Sequence, residues 1–169
     1  MNNNTFVQET RTTKTLKPLL PLLLSLVLLM PIASASTPAS ATGSFTATVT
    51  ITSISQADGN TIITAIETQT LSGFLTGTRI ANGVEIIHPD GTFNAHDTGT
   101  FTGTVNGMSG TAVITGSSTD TGASGSGQFV VEQGTAGLAG LHAQGIFQPT
   151  VTGPSTVTGT YSLQYHFDP

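Results

Sequence analysis

The chain has 169 residues, 20 of them Gly, with no Cys, no Trp and a formal net charge of −5. That length accommodates one domain. The lack of cysteine excludes a disulfide framework, a cysteine-ligated zinc or iron–sulfur site and a lipoprotein anchor. Three of the four basic residues, Arg11, Lys14 and Lys17, lie in the first 17 positions, and beyond them Arg79 stands alone against eight acids. A surface so poor in Lys and Arg releases few phosphate counterions, which argues against a nucleic-acid partner.

Residues 1–35 read as an N-terminal signal helix of the secretory type. A basic start ends at Lys17, the apolar run Leu19–Met30 follows, and Pro31 precedes the small-x-small pattern Ala33-Ser34-Ala35. The run falls short of the roughly 20 residues that span a membrane, and Pro21 and Pro31 break it. Retention as an uncleaved anchor is the competing reading. Either way the domain is expected outside the cytoplasm, secreted or in the periplasm or cell envelope, with no stable membrane insertion after cleavage. Residues 36–43 read as a flexible lead-in of Ser, Thr, Pro, Ala and Gly. Residues 44–169 remain for the folded domain.

No helical period appears after the leader; alternation of period two recurs between turn signals. Phe45, Ala47, Val49 and Ile51 alternate with Thr46, Thr48, Thr50 and Thr52, which predicts a half-buried strand. A turn at Ala57-Asp58-Gly59-Asn60 leads to a strand over Ile62–Leu71, whose isoleucines on both faces imply cover from both sides. Phe74–Ile80 is expected to pair with Val84–His88 across Asn82-Gly83, a dipeptide suited to a tight hairpin turn. After Pro89-Asp90-Gly91 comes a long strand, Thr92–Val105, with Phe93, Ala95, Asp97, Gly99, Phe101, Gly103 and Val105 on one face. Asn106-Gly107 turns the chain into Thr111–Gly116, and the Gly/Ser-rich stretch Ser117–Gly127 reads as an exposed loop. Gln128–Glu132, Leu141–Phe147 and Thr156–Phe167 complete the set. About eight short strands with tight turns predict an all-β antiparallel barrel, the in-strand glycines favouring a barrel over a sandwich.

Three segments carry a resemblance: Thr70–Gly77 (TLSGFLTG), Gly99–Gly110 (GTFTGTVNGMSG) and Gly134–Gly145 (GTAGLAGLHAQG), with the closing Tyr161–Phe167 (YSLQYHF). On these the chain resembles an uncharacterised bacterial family of small proteins known only as a domain of unknown function. The fold of that family is similar to the allene oxide cyclase and dirigent barrels of plants. The resemblance implies an eight-stranded antiparallel barrel whose interior is either filled or holds one small ligand, and it implies no reaction. It also leads us to expect an acid near Gly99; Asp97, two residues earlier on the same face, would be a shifted substitute. No functional residue of the plant proteins maps onto this chain.

Asp97 is the most informative residue. Alternation turns it inward between Phe93 and Phe101, where an acid in an apolar lumen would serve as a proton donor or ligand anchor. A bulge that flipped the register would instead leave it in solvent. Tyr161 and Tyr165 share the apolar face of the last strand, either as phenol donors above a ligand or as core residues with satisfied hydroxyls. Phe93, Asp97, Phe101, Tyr161 and Tyr165 are therefore the candidate ligand-binding set, with Asp97 the one weak catalytic candidate. Glu67 and Arg79 form a further constellation in which Arg79 would clamp a ligand carboxylate. The blander reading pairs Arg79 with Glu85 at the surface, across the Asn82-Gly83 hairpin. His88, His96, His142 and His166 have no metal-ligand spacing, so neither a metal nor another cofactor is expected.

Three functional classes follow. The first is a lumen that binds a small apolar molecule; the second is an envelope interaction module with a filled barrel; the third is an isomerase- or cyclase-like enzyme steered by Asp97. Binding ranks first, the interaction module second and the enzyme last, because the domain lacks the density of inward polar residues that catalysis needs. Homo-oligomers are compatible with a barrel of this kind.

Overall fold

The structure, a computed structural model, describes residues 37–120 and 125–168, so the signal-helix reading of residues 1–35 lies outside the described residues. Eight strands close into one antiparallel barrel in chain order: β1 (Ala39–Ala57), β2 (Asn60–Gly73), β3 (Leu75–Ile87), β4 (Phe93–Val105), β5 (Met108–Asp120), β6 (Ser126–Glu132), β7 (Leu141–Gly153) and β8 (Thr156–Phe167). β8 returns to pair with β1, from Ala39 opposite Tyr165 to Thr48 opposite Thr156, which removes the open sheet edge. The helical content among the described residues is one 3-10 turn, Ala136–Leu138, between β6 and β7.

Alternation sorts the two faces as the sequence predicts. Phe45, Ala47, Leu71, Leu75, Phe101, Val105, Ile114, Phe129, Val131, Leu141, Tyr161 and Leu163 are buried, while the threonines between them face outward. At one end the interior is packed solid. Leu75, Val105, Leu138 and Leu141 are each no more than 1% exposed. Leu138, carried by the 3-10 turn, seals that end, and Phe74, Tyr165 and Phe167 pack against the same cluster.

The elements differ from the sequence reading in several places, among them the extension of β7 from Phe147 to Gly153. β1 starts at Ala39, so Ala39–Gly43 are strand rungs on β8 rather than part of a loose lead-in. Asn82-Gly83 is not a turn: β3 runs through it, paired on both sides, with Asn82 opposite Thr98 and Gly83 opposite both Ala65 and Asp97. The chain enters β3 from a turn at Gly73-Phe74, where Gly73 has φ +98° and an added Cβ would meet the Gly43 Cα at 2.8 Å. β5 continues to Asp120, pairing Ser117 with His96 and Ser118 with Ala95, which cuts the predicted Ser117–Gly127 loop to a short connection. Finally, Ile66 on the outer face of β2 is 40% exposed, so that strand is covered on its inner face alone.

Candidate functional site

The connections β1–β2, β3–β4 and β7–β8 gather at the end opposite Leu138, and among the described residues the barrel is open there. A cavity of about 510 Å³ runs inward from this mouth, a size within the range of small-molecule sites. Its wall is mostly apolar, with Val49, Ile63, Ile87, Phe93, Phe129 and Phe147 among the side chains that face it. The barrel is thus a cup, filled below and hollow above.

The floor of the cup carries charge. Arg79 points inward from β3 and is 3% exposed. To reach Asp97 its side chain crosses the rung Ala81–Gly99, a pair of small residues. Its Nη2 donates to the Asp97 carboxylate and to the Ile114 carbonyl, the latter at 3.0 Å. Nη1 lies 3.9 Å from Glu67 Oε2. The Nε is buried and has no hydrogen-bond partner. Asp97 sits between its rung partners Gly83 and Gly116. A Cβ on Gly116 would stand 3.2 Å from both carboxylate oxygens, so glycine there keeps the space the acid occupies.

β4 holds continuous register with both neighbours, and Asp97 therefore faces inward, as alternation requires. Its charge is matched by Arg79, however, and it is no isolated acid in an apolar lumen. The surface pairing of Arg79 with Glu85 is overturned, because the hairpin that would have joined them does not exist. Burial pushes the pKa of Glu67 above the ordinary 4.5, and repulsion from Asp97 adds to this, against a hydrogen bond from Gln69 and the Arg79 charge. Burial likewise raises the pKa of Glu85, which faces the upper cavity.

Of the five candidate residues, Phe93, Asp97 and Tyr161 line the cavity. Phe101, fully buried, lies in the packed core on the rung of Arg79. Tyr165 packs against Phe74 at the closed end, the rings tilted by 39° with their centres 4.2 Å apart. The Tyr161 hydroxyl accepts the Leu75 N–H at 2.8 Å and has the Ser72 and Leu75 carbonyls within 3.3 Å, so the β2–β3 turn satisfies it. Gln69 and Glu85 were not singled out as lumenal by the sequence reading. Both share the inward parity of Leu71 and Leu75, the signal that would have found them.

Of the four histidines, His96 alone touches the cavity lining, from an exposed position on β4. His88 bridges Asn60 and Asn94 at the mouth, and His142 stacks on His166 with Asp168 near both. No group of three acidic or histidine side chains among the described residues could hold a metal ion.

No protein-family model matches the chain, and no curated protein matches it. Among solved structures it is similar to a protein of unknown function of the DUF3224 family from Shewanella oneidensis MR-1. The TM-score is 0.63 at 17% identity, over 79% of this chain and 99% of that one. At such identity the likeness shows the fold, an eight-stranded antiparallel barrel, and nothing of the activity.

Two measurements check the floor. Asp97→Ala removes the main counter-ion of a buried guanidinium and should lower stability by about 3 kcal/mol in urea denaturation. Adding Arg79→Met to that variant should restore part of the loss. An unchanged urea midpoint in Asp97→Ala would contradict the buried pair. The second measurement follows pH. Glu67 has a folded pKa above its unfolded value, so its stabilising contribution is full below 4.5 and falls as pH rises through the window up to the folded pKa. Glu85 acts in the same direction. Asp90 is shifted downward, with its effect below 3.8 and outside that window. Glu67→Gln should therefore flatten the decline in urea midpoint above pH 4.5; an identical pH profile would count against a desolvated Glu67.

Proposed function

We propose that the protein binds a small, largely apolar molecule in the lumen of its barrel. The observation that carries this reading is the half-hollow core. A cavity of about 510 Å³ stays open above a floor held by Arg79, Asp97 and Glu67, while the opposite end is packed to completion. A barrel serving as scaffold alone gains nothing from that opening, since an unfilled apolar interior forgoes the dispersion contacts that stabilise a core. A buried polar floor beneath apolar walls is also the usual make-up of a ligand pocket, with few polar groups to orient the guest.

The kinship with allene oxide cyclase and dirigent barrels belongs to this proposal as a matter of shape, and no catalytic residue is carried over with it. The leader pattern adds the proposal that binding takes place outside the cytoplasm. Tyr161 acts as a wall of the site, its hydroxyl being held by backbone. Asp97 acts as an anchor for Arg79.

A neutral apolar fluorophore, N-phenyl-1-naphthylamine, tests the reading, because its emission rises in apolar surroundings. Titration should show saturable binding. Ala95→Phe, which adds a ring to the cavity wall, should weaken binding about tenfold or more with little change in thermal midpoint. Equal affinity in the variant would sink the lumen as the site.

A further inference from the structure

The lumen holds more negative charge than its one cation can match. Glu67, Glu85 and Asp97 all line the cavity, against Arg79 alone. The charge of Arg79 is already engaged, Nη2 by Asp97 and the Ile114 carbonyl, with Glu67 near Nη1. No other Lys or Arg lies beyond Lys17 to share the load. His88, the histidine at the mouth, is tied to Asn60 and Asn94.

Glu85 is the acid left over. It sits on β3 nearer the mouth than the floor, with Ile63 and Ala95 as its rung partners and Ile87 next on the same face. Its carboxylate makes no ion pair or hydrogen bond with the described residues, and burial already disfavours its charged form. Among the described residues, the titratable and charged groups that share its lumen are Glu67 from β2, Asp97 and the exposed His96 from β4, and Arg79 from its own strand. Only the last is positive, and it is committed below.

We propose that the guest is an apolar molecule with a basic amine head, and that Glu85 is the counter-ion for that head; this rests on the lumen being the binding site. An alkylammonium supplies the missing positive charge at the one unpaired carboxylate, while its apolar body fills the space among Phe93, Phe129 and Phe147. A fatty carboxylate would meet an already anionic lumen. A neutral alcohol would fill the space and leave Glu85 unmatched.

Displacement of N-phenyl-1-naphthylamine from the protein at pH 7 by decylamine, decanol and decanoate, each below its micellar concentration, separates these cases. Decylamine should displace the probe at a concentration about tenfold or more below that of decanol, and decanoate should be weakest. Glu85→Gln should bring decylamine to the level of decanol and leave decanol unchanged. Glu132→Gln, at an exposed position, should keep the preference for the amine. Equal displacement by amine and alcohol, or a preference that survives Glu85→Gln, would overturn the amine proposal while the lumen reading stands. Failure of the probe and of all three competitors to bind would overturn both.

Discussion

A buried guanidinium in a small barrel is a heavy constraint, and the interior is arranged around it. Arg79 has left water almost completely, so its charge must be met within reach of a side chain. Asp97 meets it, and the rungs between them are cut down to Ala81 and Gly99 to let the two groups touch. Gly83 and Gly116 then flank Asp97 because larger side chains would take the volume of its carboxylate. The glycines that make the strands look loose in sequence are, at this level, the space the ion pair needs.

The same pair divides the barrel into two halves with different tasks. Below Arg79 the inward residues are large and interlocked, from Leu75 and Phe101 to Val105 and Leu138, and this half supplies most of the apolar burial that holds the fold. Above it the inward faces of β2, β3 and β4 include the small Ala65, Gly83 and Ala95 among the larger Ile63, Ile87 and Phe93, and the side chains leave the lumen unfilled. A cavity results. Tyr161 ties the halves together at the floor, spanning from β8 to the β2–β3 turn through its hydroxyl. The acids give the hollow half its charge: two of them share Arg79, and Glu85 faces the cavity with no cation of its own.

Much of this was legible in the alternation of the sequence. The inward face of β4, with Asp97 between Phe93 and Phe101, could be read directly, because one buried side forces a period of two. The barrel class followed from the number of strands and their glycines. What was not legible was the partner of Asp97. Asn82-Gly83 carries strong turn chemistry, and a turn there would place Arg79 and Glu85 together at the surface. Tertiary pairing overrides that preference. β4 is thirteen residues long and needs a neighbour of equal length, which Leu75–Ile87 supplies only by running through Asn82-Gly83 unbroken. Unbroken parity from Leu75 through Arg79 and Gly83 to Glu85 was the available signal. The extension of β5 was hidden similarly, since Ser117 and Ser118 resemble loop residues until β4 is placed beside them.

The central claim is that the open half of the barrel receives a guest, and isoleucine methyl NMR tests it most directly. Ile63, Ile87 and Ile114 line the cavity, whereas Ile66, Ile80 and Ile146 stand on the outer face. Titration with N-phenyl-1-naphthylamine should shift the methyl signals of the first three to saturation and leave the second three in place. Shifts confined to Ile66, Ile80 and Ile146, or no saturable shift at all, would contradict it.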